Sequence, residues 1–125
     1  MRKEYDLKKI KCFQKRLGKK LSKHVNKFEL QPTLTGELLS FRPLQSANFE
    51  DLYAVSSGPL IWEIHPEKYR YQRNASKNFF RAAIESKGAL LASDIKTQEV
   101  LGCSRYSALN FVNSRIDIGY TFLSR

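Results

Sequence analysis

The sequence predicts an α+β domain with a mixed, mostly antiparallel sheet, and three observations predict it. The final segment, RIDIGYTFLSR, alternates Ile116, Ile118, Tyr120 and Phe122 against Asp117, Gly119 and Thr121, which is the period of a strand. Two apolar runs, ALLASDI (Ala89 to Ile95) and VLGCSRYSAL (Val100 to Leu109), flank the polar KTQE and read as a hairpin. Ahead of them stand two stretches with apolar residues on helical spacing. The order is therefore strand, helix, helix, strand, strand, strand. Hairpin-linked strands pair antiparallel, and the two helices lie across their sheet.

The chain opens on a basic extension. Residues 1–27 hold eleven Lys or Arg against Glu4 and Asp6, a net +9, so only +1 of the chain's +10 belongs to the remainder. Leu7, Ile10, Phe13, Leu17, Leu21, Val25 and Phe28 recur at steps of three or four, an amphipathic helix pattern interrupted by Gly18. Such an arm suits nucleic acid or an anionic membrane surface. It equally suits a solvated helix that packs a thin apolar stripe on the domain. Because the charge sits in this appendage, the pI of 9.8 says little about the domain from residue 28 onward.

GELLSFRPL (Gly36 to Leu44) alternates Leu39 and Phe41 against Ser40 and Arg42, a strand that tolerates Pro43 near its end. SANFEDLYAVSSG starts a helix on cap-type residues, with Asn48 and Asp51 spaced as a capping box and Phe49, Leu52 and Tyr53 on one face. Gly58-Pro59 stops it, and LIWEIHPEKYRY (Leu60 to Tyr71) reads as a loop around Pro66. QRNASKNFFRAAIESKG gives the second helix, with Phe80, Ala83 and Ile84 on one face and Gly88 as its C-cap.

Several classes are disfavoured. No apolar run approaches the roughly 18–20 residues that span a bilayer, and no secretory signal pattern opens the chain. Cys12 and Cys103 are isolated, which favours reduced thiols in a cytoplasmic setting. With two histidines, His24 and His65, and no Cys/His cluster, no metal site is expected. No nucleophile-elbow motif supports hydrolase chemistry.

The blocks LTGELLSFRPL, NFEDLYAV, GPLIWEIHP, GALLASD with KTQEVLGCSRY, and IDIGYTFLSR, in that order, resemble the first half of a GNAT superfamily N-acetyltransferase. The likeness is to the branch that acetylates protein N-termini and small amines. It runs from about Leu34 to Arg125, so residues 28–125 are expected to be the N-terminal portion of such a domain. The resemblance implies acetyl-CoA as co-substrate, with no metal, and an amine acceptor attacked directly without a covalent enzyme intermediate. It places the backbone of Thr121, Phe122 and Leu123 against the cofactor.

It also places three candidate catalytic groups: Asp117 on the last strand as a proton acceptor, and Glu63 and His65 in the loop over the acceptor. Glu63 would attract a cationic amine. An imidazole titrates near neutrality and suits proton handling. Trp62, Arg105 and Tyr106 are candidates for lining the acceptor cleft. The WEIHP segment also has a structural reading, with Trp62 in the core and His65 capping backbone. Cys103 is read as a small core residue.

In this family a glycine-bearing loop and a helix N-terminus after the final strand hold the pyrophosphate. No two of the six glycines here fall within five residues of each other. The expectation is a chain that lacks this cradle and is inactive alone, with an open strand edge for a complementing segment or a second copy.

Overall fold

The computed structural model describes residues 28–124. The expected basic helix at 1–27 lies outside the described residues. The described chain divides into two units, a body of residues 30–107 and 117–124, and a smaller unit whose described parts are 28–29 and 108–116.

The elements are β1 (Leu34–Thr35), β2 (Leu39–Pro43), α1 (Phe49–Ser56), α2 (Arg73–Ser86), β3 (Ala89–Asp94), β4 (Val100–Asn110) and β5 (Arg115–Leu123). They form one five-stranded sheet in the order β1-β2-β3-β4-β5. The expected α+β order holds, with β1 added. Two residues, Leu34 and Thr35, pair with Phe41 and Ser40, too short a run for periodicity to reveal. The expected loop from Leu60 to Tyr71 contains two 3-10 turns, Pro59–Trp62 and Lys68–Tyr71.

β3 is the centre of the body. It pairs antiparallel with β2, from Leu39 opposite Asp94 to Pro43 opposite Leu90, and with β4, from Ala89 opposite Arg105. A register shift between Ala92 and Ser93 marks a bulge. Successive side chains alternate faces. Ala89 and Leu91 join Leu44, Leu52, Trp62, Phe80, Ala83, Cys103 and Phe122 in the core beneath the helices.

α2 turns Ser76, Phe80 and Ala83 inward at steps of four and three, the stripe a helix needs to cover a sheet. It meets α1 through the edge of Phe49 on Phe80, 5.2 Å between centroids, and through the buried hydroxyls of Ser56 and Ser76 at 3.2 Å.

Two end signals act differently from expectation. The Asn48 side chain reaches back to accept the Gln45 N–H at 2.9 Å, so no Asn48–Asp51 box forms. The left-handed residue closing α2 is Lys87 (φ 52°), not Gly88. Gly88 is required by contact instead, since a Cβ there would lie 2.3 Å from the Tyr106 carbonyl oxygen. In the hairpin, Asp94 accepts the N–H groups of Lys96 and Thr97, both at 2.8 Å, and thereby organises the KTQE turn. The Thr97 and Lys96 N–H groups hold its carboxyl below the usual carboxylate range.

Candidate active site along the outer edge of β5

Among the described residues β5 is an edge strand, so half of its backbone has no neighbour in the described sheet. Ser124 donates its N–H to Leu101 at 2.7 Å, which turns that residue toward β4. The Phe122 carbonyl also faces β4: a Cβ on Gly102 would lie 1.9 Å from its oxygen. With a period of two, Thr121 and Leu123 are the residues whose backbone groups face outward. Of the three expected cofactor-facing positions, those two occupy the outer edge, whereas the Phe122 backbone is turned to β4.

The strand is not regular. Tyr120 has φ 51°, a left-handed conformation rare for an aromatic residue in mid-strand. The irregularity breaks the alternation that the sequence promised. Ile118 borders a cavity with Leu34, Phe41, Leu90, Ser104 and Tyr106, whereas Phe122 enters the core with Trp62 and Phe79. Ile118 and Phe122 therefore occupy opposite faces, where a strict period of two places them on one. Irregular edge residues of this kind are concentrated where a strand re-aims groups at a ligand. Residue order does not reveal Tyr120, because nothing about a tyrosine beside a glycine marks it as the left-handed one.

The loop candidates gather on Trp62. Its indole is 2 % exposed and donates to the Ser56 carbonyl at 2.8 Å, fixing the 3-10 turn beside α1. Its ring lies 5.1 Å from Phe122 and 5.4 Å from His65. His65 Nδ1 accepts the Glu67 N–H at 2.9 Å, so that nitrogen is engaged in holding the loop past Pro66. The structure thus brings together Trp62, His65 and Phe122, while Glu63 stands exposed on the same loop. Asp117 is exposed on β5.

Arg105 and Tyr106 both border the cavity of about 190 Å³ on the sheet. The Arg105 guanidinium stacks on Tyr120 at 4.0 Å and reaches Phe79 at 5.6 Å. Burial pushes its pKa below the ordinary arginine value, and the cation of Arg70 adds to the shift. Arg70 itself stacks on Phe79 at 4.6 Å and on Trp62 at 5.7 Å. Cys103 is buried, and that burial pushes its thiol up to about 12, so it is no nucleophile at neutral pH.

Among the described residues no group of His, Cys, Asp or Glu is arranged to hold a metal ion, and no helix is long and apolar enough to cross a membrane. No family model matches the sequence. No curated protein matches it either. Solved structures do. A GCN5-related N-acetyltransferase from Brucella melitensis superposes with a TM-score of 0.65 at 18% identity, over 75% of this chain and 45% of that one. The fold is that of the GNAT N-acetyltransferases. An acetyltransferase of the GNAT family from Bacillus anthracis gives a TM-score of 0.56 at 16% identity, over 73% of this chain and 53% of its own. The chain thus spans about half the length of the GNAT structures it matches.

Proposed function

We propose that this chain provides one wall of an acetyl-CoA-dependent N-acetyltransferase that transfers acetyl to a primary amine, on a protein N-terminus or a small molecule. The observation that carries the reading is the GNAT superposition at TM-score 0.65, beside a strand β5 that stands at the edge of the described sheet. In this reading the outward backbone groups of Thr121 and Leu123 pair with the cofactor's extended arm. An N–H on that edge steadies the acetyl carbonyl oxygen as negative charge develops on it. Asp117, Glu63 and His65 are the proposed proton-handling groups, and Trp62 shapes the acceptor side. The amine must lose its proton to attack, and a carboxylate or imidazole receives it directly or through water.

The described glycines are engaged elsewhere. Gly88 and Gly102 lie against Tyr106 and Phe122 of neighbouring strands, and Gly36, Gly58 and Gly119 stand far apart in sequence. We therefore propose that the phosphate-holding part is not among these residues and that the isolated chain binds acetyl-CoA weakly. Calorimetric titration of the 125-residue chain should give a dissociation constant weaker than about 0.1 mM. A micromolar constant would overturn the weak-binding claim, and absence of any binding at millimolar cofactor would overturn the wall itself. The same edge is proposed to accept a complementing segment or a second copy. A strictly monomeric chain by light scattering at high concentration would count against self-pairing.

A further inference from the structure

Arg105 carries a charge that no described residue answers. The residue is 8 % exposed, and its Nε and Nη2 atoms are buried without a hydrogen-bond partner. Those two nitrogens form one edge of the guanidinium, where two N–H bonds run parallel and match the two oxygens of a carboxylate. The flat face of the group is already occupied, by Tyr120 at 4.0 Å. A second cation stands close by: Arg70 stacks on the Phe79 ring that Arg105 also reaches, at 4.6 and 5.6 Å respectively. An ion pair among the described residues joins Arg73 to Glu50, and neither Arg70 nor Arg105 takes part in it.

Stacking on aromatic rings offsets part of the cost of holding a cation out of water. It does nothing for the unused N–H edge, and two neighbouring cations repel. An anion on the Arg105 edge resolves both problems, since it accepts the two unused N–H groups and offsets the repulsion. That buried edge lies beside aromatic rings, where a singly charged carboxylate costs less to bring out of water than a dianion. Tyr120 covers the flat face of the guanidinium. Its side chain is half in solvent, at 51 % exposure, and stands on the irregular backbone position of β5. Displacing that ring exposes the guanidinium beneath it.

We propose that Arg105, with Arg70 beside it, receives a carboxylate carried by the acceptor, so that the acceptors are amino acids or short peptides with a free carboxyl group rather than plain amines. The word acceptor rests on the acetyl-transfer reading above; the carboxylate site itself does not.

The test titrates the full 125-residue chain with N-acetylglycine and, separately, with its uncharged counterpart N-acetylglycinamide. The Arg105 Nε–H resonance is followed by NMR and the affinities are taken by calorimetry. The acid should shift that resonance saturably and bind at least about tenfold more tightly than the amide. Arg70→Gln should weaken the acid severalfold and leave the amide unchanged, and Arg105→Gln should erase the difference between them. Should Arg105→Gln fail to fold, the resonance and the Arg70→Gln variant still decide. Equal affinity for acid and amide would overturn the inference. So would an Arg105 resonance that inorganic phosphate moves and the acid does not, or one unmoved by about 50 mM of the acid. Acid binding without any acetyl-CoA binding would uphold the carboxylate site and sink the acetyl-transfer reading. Acetyl-CoA binding with no preference for the acid would do the reverse.

Discussion

β3 and β5 belong to the same sheet and are built to opposite specifications. β3 has a partner on each side, and its first five residues are buried. β5 has one partner, and from Asp117 onward it buries Phe122 alone while Tyr120 departs from strand geometry. The first arrangement leaves no group free for a ligand. The second leaves a backbone edge, a half-exposed aromatic ring on an irregular backbone position and a buried arginine beneath it. In the proposed reading, stability and reactivity are thus separated by two strand positions in the sheet.

Replacing one side chain at a time is the strongest way to break that contrast. Phe122→Ala should cost about 3–5 kcal/mol and Leu91→Ala about 2–5 kcal/mol in chemical denaturation, as core truncations do. Ile118→Ala, at a residue 69 % exposed, should cost less than about 1 kcal/mol. Similar losses at Ile118 and Phe122 would mean that both share one face and that the irregularity at Tyr120 is absent.

Glycines sharpen the same contrast. Gly102→Ala drives a Cβ to 1.9 Å from the Phe122 carbonyl oxygen and should cost about 2 kcal/mol or more by forcing β4 and β5 apart. Gly119 has nothing within 4 Å of its Cβ position, so Gly119→Ala should stay within about 1 kcal/mol. An equal penalty at both would contradict the register of β4 on β5.

Cys103 gives a pH signature of the buried side. Burial pushes its pKa up to about 12, above the 9.0 of an ordinary thiol, so the folded chain holds the proton more tightly than the unfolded one. That contribution is complete below about pH 9 and is lost as pH rises toward 12. Stability should therefore fall across that window, less so in Cys103→Ala measured against its own neutral-pH value. The native thiol should resist alkylation at neutral pH. The smallest effect belongs to the exposed pair of Glu50 and Arg73 on α1 and α2. The Arg73 hydrogen bond lowers the Glu50 carboxyl, yet the pair is in solvent, and Glu50→Gln should leave the melting temperature within about a degree.

Much of this was legible from residue order alone. The hairpin around KTQE and the two helices before it follow from period and turn chemistry, and the sheet follows from the hairpins. What escaped detection depends on approaches between distant residues. Lys87 takes the left-handed position, while Gly88 is needed where the chain after α2 meets the Tyr106 backbone, a contact invisible along the sequence. Asn48 answers Gln45 behind it instead of leading the helix ahead. Arg105 was legible as a cleft candidate, but its burial is created by Phe79 on α2 and Tyr120 on β5. Arg70 had no signal, since a basic residue in a 3-10 turn is ordinarily solvated.

The outer edge of β5 is the proposed surface for an extended thioester cofactor. Amide-resolved NMR of the chain titrated with acetyl-CoA addresses that directly. The Thr121 and Leu123 amides should show the largest shifts and the central β3 amides almost none. Shifts confined to β1, or spread evenly over basic surface residues, would contradict it.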